Sequence, residues 1–479
     1  MHRVHSFPIR WISLCLLTVW LVAPASALAQ PAGDANQQVV RVTVVDQATL
    51  ELLRSLEATG DDLELWSEVF QIGPVDLRAS PLGLASLRAA GLRYEVLIED
   101  FQAYLDEVFG GDRGGDFFDR LRTYDEHVQF LRDLVATYPD LAQMIEVGKS
   151  VEGRSLWALR VTGKGKVKPA VFYHGAEHGG EQAGSSVVAY MARHLLSNYK
   201  TDPNVAALVD HAEWYLLPIM NPDGYVRGQR YNVHGVDLNR NWDGPGAGQD
   251  PRGGPYPFSE PETRALRDLL VGHSTIRVHV DVHGYAPMIM WPWGHKPDPC
   301  PHHARFLGLG TVMRDRVANS GGGTYQIGVI YTTLYKISGG SSDYSYGVRG
   351  LWAFLIELAH AQMPGICQQV LTGMLYLGEW IWTIDCNGNG VDDPEDIAKG
   401  TSRDRNHNNI PDECEPLADL NCDGERNNFD IDPFVLALTD PAGYKQKHPD
   451  CDILRGDING DGVVDNFDID LFVELLTGP

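Results

Sequence analysis

The chain has 479 residues, 64 of them acidic and 39 basic, for a formal net charge of −25. That balance excludes the basic footprint that nucleic acid demands, and the length admits two or three domains, each with its own core. Beyond its N-terminus the chain has no apolar run long enough to span a bilayer.

At the N-terminus His2, Arg3, His5 and Arg10 precede an apolar run at residues 11–23, and Ala27-Leu28-Ala29 offers a small-x-small cleavage site. Residues 1–29 therefore read as a secretory signal peptide; an uncleaved anchor is the competing reading, and the cleavage site argues against it. Cys15 leaves with the signal, so Cys300, Cys367, Cys386, Cys414, Cys422 and Cys451 remain. An even count in an oxidising compartment predicts disulfides, most simply between neighbours within one domain.

Residues 36–110 read as a small α+β unit. Residues 39–45 alternate as a strand, 48–56 are helical, 73–77 extended, 80–90 helical again, and 94–97 a last strand. Nothing in them suggests chemistry, so they form either an independent structural domain or a removable prosegment. The glycine-rich run Phe109-Gly110-Gly111-Asp112-Arg113-Gly114-Gly115 follows as a hinge. Over residues 116–383 apolar strands alternate with amphipathic helices. This predicts an α/β domain with a predominantly parallel or mixed central sheet and helices on both faces.

Within that domain the densest chemistry is Tyr173-His174-Gly175-Ala176-Glu177-His178-Gly179-Gly180-Glu181. It joins a buried-strand pattern to a helical one, the place where open α/β folds hold ligands. His178 and Glu181, three apart in the first helical turn, can both reach one cation, and imidazole with carboxylate suits zinc. His174 and Glu177 compete, but strand alternation would aim them at opposite faces. Residues 277–284 alternate, with valines on one face and Arg277, His279, Asp281 and His283 on the other. His283, at the strand's C-terminal end, is the candidate third ligand; His279, one pleat deeper, reads as a core histidine. Residues 351–358 hold one carboxylate, Glu357, in an apolar strand, where an uncompensated charge costs several kcal/mol. It is either a general base for hydrolysis or a residue emerging at the strand's wet end. Asn239 and Arg240 can clamp a carboxylate, and Arg230 is a further candidate cation; surface ion pairing is the plainer reading of both arginines.

These motifs occur in one order: His178-Gly-Gly-Glu181, Asn221-Pro-Asp-Gly-Tyr225, Asp237-Leu-Asn-Arg-Asn-Trp-Asp243, His283-Gly-Tyr285, Leu334-Tyr335-Lys-Ile-Ser-Gly-Gly-Ser-Ser-Asp343 and Ile356-Glu357-Leu358. Together they resemble the zinc metallocarboxypeptidases of the carboxypeptidase A/B (funnelin) type. The resemblance implies that His178, Glu181 and His283 ligate zinc, that Glu357 is the general base and proton shuttle, and that Arg230 stabilises the oxyanion. It further implies that Asn239 and Arg240 bind the terminal carboxylate of a peptide with a free C-terminus, and that Tyr335 closes over it. Residues 36–110 resemble the family's activation segment, with Arg113 a cleavage point for an activating protease. Gly180 stands where carboxypeptidase A-like members carry arginine. Ser342 stands at the position that is apolar or acidic according to the preferred C-terminal residue, so that preference stays open. An amidase acting on cell-wall peptides and a binding protein using the fold as a scaffold are the rival functions.

Residues 384–479 contain 23 acidic against 7 basic side chains, at spaced positions. Asp419, Asn421, Asp423, Glu425, Asn427 and Asp430 fall at positions 1, 3, 5, 7, 9 and 12 of an EF-hand loop, with Gly424 at 6. Asp457, Asn459, Asp461, Val463, Asp465 and Asp468 repeat the spacing, which predicts calcium. Each loop runs into an apolar turn. The pair, at residues 417–479, resembles dockerin type I modules, which implies a cohesin-like or surface partner. Residues 384–416 resemble the Asp/Asn-rich calcium repeats of thrombospondin type 3.

Overall fold

The computed structural model describes residues 37–57, 62–66, 72–101, 103–104, 115–164, 168–359, 363–382, 391, 393–403, 411, 417–422, 426–449, 451–459 and 463–477. The expected signal at residues 1–29, Arg113, Cys386, Cys414, Asp423, Glu425, Asp461 and most of residues 384–416 lie outside them. Among the described residues no helix is long and apolar enough to cross a membrane.

An N-terminal antiparallel sheet contains β1 (Gln38–Val44), β2 (Leu63–Leu65), β3 (Gly73–Ala79) and β4 (Tyr94–Ile98), in the order β2-β3-β1-β4. Helices α1 (Gln47–Glu57) and α2 (Pro81–Ala89) cover it, burying Leu50, Leu53, Leu84 and Leu87 against Val40, Val42 and Leu77. Ser80 starts α2 by accepting from the N–H groups of Leu82 and Gly83. Strand β2 was not anticipated, because a run as short as Leu63-Glu64-Leu65 carries no alternation signal.

The larger sheet contains β5 (Ala142–Lys149), β6 (Ser155–Val161), β7 (Ala170–Gly175), β8 (Glu213–Leu217), β9 (Ile276–Gly284), β10 (Met288–Trp291), β11 (Gln326–Val329) and β12 (Trp352–Leu358). Its order is β11-β10-β12-β9-β7-β8-β6-β5. The central β12, β9, β7 and β8 run parallel, while β10, β6 and β5 pair antiparallel at the flanks. The expected mixed sheet is therefore present. Strands β7, β8 and most of β12 are buried on both faces, which is why they read as continuous apolar runs. One face packs on α3 (Tyr124–Thr137), α4 (Ala183–Asn198), α5 (His303–Asn319) and α6 (Gly365–Trp382). The helix at Pro261–Gly272 covers the other, with Leu266, Leu269 and Leu270 against Leu156, Phe172 and Tyr215.

Near the C-terminus, helices Ile431–Thr439 and Ile469–Thr477 stack Phe434 on Phe472 at 3.8 Å. Cys422 pairs with Cys451, the neighbour pairing expected. Cys300 and Cys367 correct the wider expectation: both are buried and free. An even count fixes how many thiols there are but brings no two together.

Candidate active site

Three of the parallel strands deliver the site. Strand β7 ends at Gly175, and Ala176 then takes a left-handed φ of 50°. That residue breaks the alternation on which His174 and Glu177 were assigned opposite faces; both instead lie against Asp281 of β9. The chain passes through a turn closed by Glu181 N–H to His178 O at 3.0 Å before α4 begins, so His178 and Glu181 precede the helix rather than occupying its first turn. Gly175 and Gly184 make the close approach possible. A Cβ on Gly175 would meet the carbonyl carbon of Gly184 at 2.6 Å, and one on Gly184 would meet the Val282 oxygen at 2.7 Å. Strand β9 adds His283 at its end, with Val278, Val280 and Val282 in the core on the opposite face, as alternation required.

The side chains converge. His178 Nδ1 lies 2.5 Å from Glu181 Oε1, and His283 Nδ1 lies 2.8 Å from Glu181 Oε2 and 3.1 Å from His178 Nδ1. Their outer nitrogens are already engaged: His178 Nε2 faces Asp237 Oδ1 at 3.1 Å, and His283 Nε2 faces Asp281 Oδ2 at 2.8 Å. Two buried imidazole nitrogens with nothing but a carboxylate between them fit a cation with tetrahedral N/O preference. A second buried group, Glu177, Asp281 and His283, also clusters. His279 is not among the ligand candidates. It shares a hydrogen bond with Ser345 Oγ at 2.6 Å and packs in a three-ring cluster with Phe172 and His174, as the core reading held.

Glu357 of β12 is the register partner of His283. It is only 2 % exposed, and its Oε2 has no hydrogen-bond partner. Burial raises its pKa to about 8 despite the proximity of His283. Asp237 behaves oppositely: burial opposes ionisation, but Arg230, Arg240 and His178 hold it well below the usual carboxylate range. Arg230 bonds Asp237 Oδ2 through Nε and Nη2 at 3.2 and 3.1 Å, with Nη1 3.4 Å from Glu181 Oε1. Both arginines expected at the site are thus buried, which removes the surface-pair reading.

Asn239 and Arg240 sit on a 3-10 turn capped by Asp237, whose Oδ1 accepts from Asn239 N–H at 3.1 Å. Arg240 Nη2 donates to the Tyr335 hydroxyl at 3.2 Å. Ser342 lines an adjoining pocket with Asn239, Ile330, Ile337 and Leu355, and its buried hydroxyl has no partner. Asp343 beside it is occupied, accepting from Gly294 N–H, His295 N–H and His295 Nδ1.

The mouth of the site is walled by the N-terminal domain. Glu64, Leu65 and Trp66 face His178, Glu181, Arg230 and Tyr285 across a cavity of about 30 Å³. The Glu64 carboxylate accepts from the Arg230 backbone N–H and pairs with Arg78, whose Nη1 reaches the carbonyls of Arg227 and Gly228. Sequence reasoning missed Glu64 and Arg78 altogether. Alternation placed Asp281 on the face of His283 but assigned it no role there.

A buried N/O constellation at the strand ends of a mixed α/β sheet, with an adjoining unpartnered carboxylate, defines a metal-dependent hydrolase. The family model for zinc carboxypeptidases matches residues 127–374, and that for the carboxypeptidase activation peptide matches residues 40–107. The chain belongs to the zinc carboxypeptidase family: it is a metallocarboxypeptidase with zinc as its catalytic cofactor and an activation peptide ahead of its catalytic domain. It is similar to carboxypeptidase A1 of Bos taurus, 29% identical over 360 residues, 67% of this chain and 86% of that one. Its likeness to carboxypeptidase A2 of Mus musculus is 31% over 363 residues, again 67% and 86%. Two solved structures share the fold. The first, thrombin activatable fibrinolysis inhibitor, has a TM-score of 0.63 at 20% identity, over 72% of this chain and 99% of that one. The second, the carboxypeptidase A from Helicoverpa armigera, has a TM-score of 0.57 at 24% identity, over 73% and 96%.

Proposed function

We propose that the chain is an exported zymogen that removes the last residue from peptides and proteins with a free C-terminal carboxylate. The observation that carries this reading is the convergence of His178, Glu181 and His283 on one buried point, with the unpartnered Glu357 on the adjacent strand. In it His178, Glu181 and His283 would hold zinc. When bound, zinc supplies the Lewis acidity that acidifies water and polarises the scissile carbonyl. Glu357 takes the proton of the attacking water and returns it to the leaving amine, a double duty suited to a carboxyl whose pKa burial has raised. Arg230 turns an N–H towards the carbonyl oxygen as negative charge develops there. Asn239 and Arg240 hold the terminal carboxylate, and Tyr335, already within reach of Arg240, closes over it.

The domain limits follow. Residues 1–29 are the signal, 36–110 the prosegment, 116–383 the catalytic domain, 384–416 calcium-type repeats, and 417–479 a calcium module with a cohesin-like or surface partner. The Cys422–Cys451 disulfide favours an oxidising compartment and supports export. The wall formed by Glu64, Leu65 and Trp66 favours a prosegment that excludes peptides until a protease cuts at Arg113.

With the prosegment removed, peptides differing only in their last residue should be trimmed, and the same peptides with amidated C-termini should be left intact. Equal cleavage of both sets would overturn the reading. The same library reports on Ser342. Its pocket has aliphatic walls and no uncommitted charge, so uncharged residues should lead. In Ser342→Asp the ranking should shift towards Lys and Arg by about tenfold or more, the scale of a desolvated charge pair.

Calcium should order residues 419–479 without entering the peptidase chemistry. The described ends of the two loops match: Asp430 Oδ1 accepts from the N–H groups of Leu420 and Asn421, and Asp468 Oδ1 from those of Ile458 and Asn459. The core behind them is small, centred on Leu420, Phe434, Tyr444 and Phe472. Emptied loops would leave their carboxylates repelling one another over too little buried surface. Limited proteolysis in EGTA with zinc replenished should cut the tail and spare the catalytic domain; a tail equally resistant with and without calcium would refute the assignment.

A further inference from the structure

We propose that Asp281 is a positioning residue of the metal centre: its carboxylate fixes the His283 imidazole in the orientation and tautomer that zinc at Nδ1 requires. The inference rests on the reading of His283 as a ligand. A ring nitrogen that ligates a metal offers its lone pair, so the proton of His283 belongs on Nε2 and needs an acceptor there. Three polar atoms face that nitrogen: Asp281 Oδ2 at 2.8 Å, Asn239 Nδ2 at 3.2 Å and Glu177 Oε2 at 3.6 Å.

Only one of the three can accept. The Asn239 amide is oriented by Ser341, whose N–H donates to Asn239 Oδ1 at 3.0 Å, so the atom it turns to His283 is a donor. Glu177 Oε2 is beyond hydrogen-bond reach, and its other oxygen is held by Trp242 Nε1 at 2.8 Å. Asp281 remains, and it is anchored in turn. Ser341 Oγ donates to the same Oδ2 at 2.7 Å, and His174 Nδ1 lies 3.4 Å from Oδ1. Asp281 precedes His283 by one pleat on the same face of β9 and is fully buried, so neither carboxylate nor ring has room to swing. A further result follows for Asn239. In the structure the Asn239 amide lies 3.2 Å from His283 Nε2 and bonds it; with the proton on Nε2 directed to Asp281, that amide would be released to the substrate carboxylate.

The test measures zinc affinity by chelator competition and the visible absorption of the cobalt-substituted protein, on the full chain. Asp281→Asn should weaken zinc binding about 10- to 100-fold, the usual cost of losing a carboxylate behind a ligand histidine. Its cobalt spectrum should change, while the urea midpoint of the metal-free protein should stay as in the wild type. Glu177→Gln, removing a carboxylate outside hydrogen-bond reach, should shift affinity by less than about threefold. If Asp281→Asn does not fold, Ser341→Ala serves instead; it keeps the carboxylate, removes one anchor, and should weaken zinc in the same direction. Wild-type affinity and spectrum in both variants would overturn the proposal. So would a loss of affinity that merely tracks lost stability of the metal-free protein with the spectrum unchanged. Two zinc equivalents per chain, one lost in Asp281→Asn, would make Asp281 a ligand and overturn it too. Zinc retained in His283→Ala would overturn the ligand reading itself.

Discussion

Glu357→Gln should leave the fold and the bound zinc intact and lower kcat by about 10²- to 10⁴-fold, the range of a missing general base. The amide matches the carboxylate in shape but cannot take a proton. Because Glu357 Oε2 has no hydrogen-bond partner, the substitution breaks no internal bond through that atom. Burial already disfavours the charged form, so a neutral group should be tolerated and even slightly stabilising. Zinc content, urea midpoint and turnover of a C-terminally free peptide check the three parts of the expectation. Activity within tenfold of wild type would remove Glu357 from its assigned role.

His283→Ala and His279→Ala should separate cleanly. The first removes one of three converging ligand atoms, and zinc in the purified protein should fall to roughly a tenth or less of the wild-type content, with activity lost alongside. The second leaves that convergence untouched. It deletes a ring stacked on both Phe172 and His174 and strands Ser345 Oγ, a partner at 2.6 Å. The expected effect is a stability loss of about 1–3 kcal/mol from the unsatisfied hydroxyl, with zinc retained. Metal analysis beside urea denaturation distinguishes the two; equal zinc loss would mean that both histidines reach the ion.

What the sequence made legible was whatever local periodicity encodes. The alternation of residues 277–284 separated the valines from His283 and set His279 deeper on the same face, four residues back, and both placements hold. The mixed sheet likewise followed from apolar runs interleaved with helical patterns. What stayed hidden depended on contacts between distant segments. Glu64 sits on a strand too short to show a pattern, and its relation to Arg230 arises only when the two domains meet. His174 and Glu177 depart from strand alternation at a single dihedral, the left-handed Ala176, and an alanine gives no sign of such a φ. Cys300 and Cys367 stayed single because cysteine counts carry no information about distance.

The glycine contacts beneath the site bear on how the protein and its metal assemble. Strand β7, the start of α4 and the end of β9 meet main chain to main chain at Gly175, Gly184 and Val282, so the segments carrying His178, Glu181 and His283 are set apart by backbone dimensions alone. Folding alone should therefore be enough to complete the cradle. Zinc in such a cradle is not a nucleus for the fold, as it is in small metal-dependent domains. It contributes to stability by mass action, as any ligand of the native state does. Apoprotein and holoprotein should then be the same folded object, loaded or unloaded, and the metal should come and go by exchange rather than by refolding.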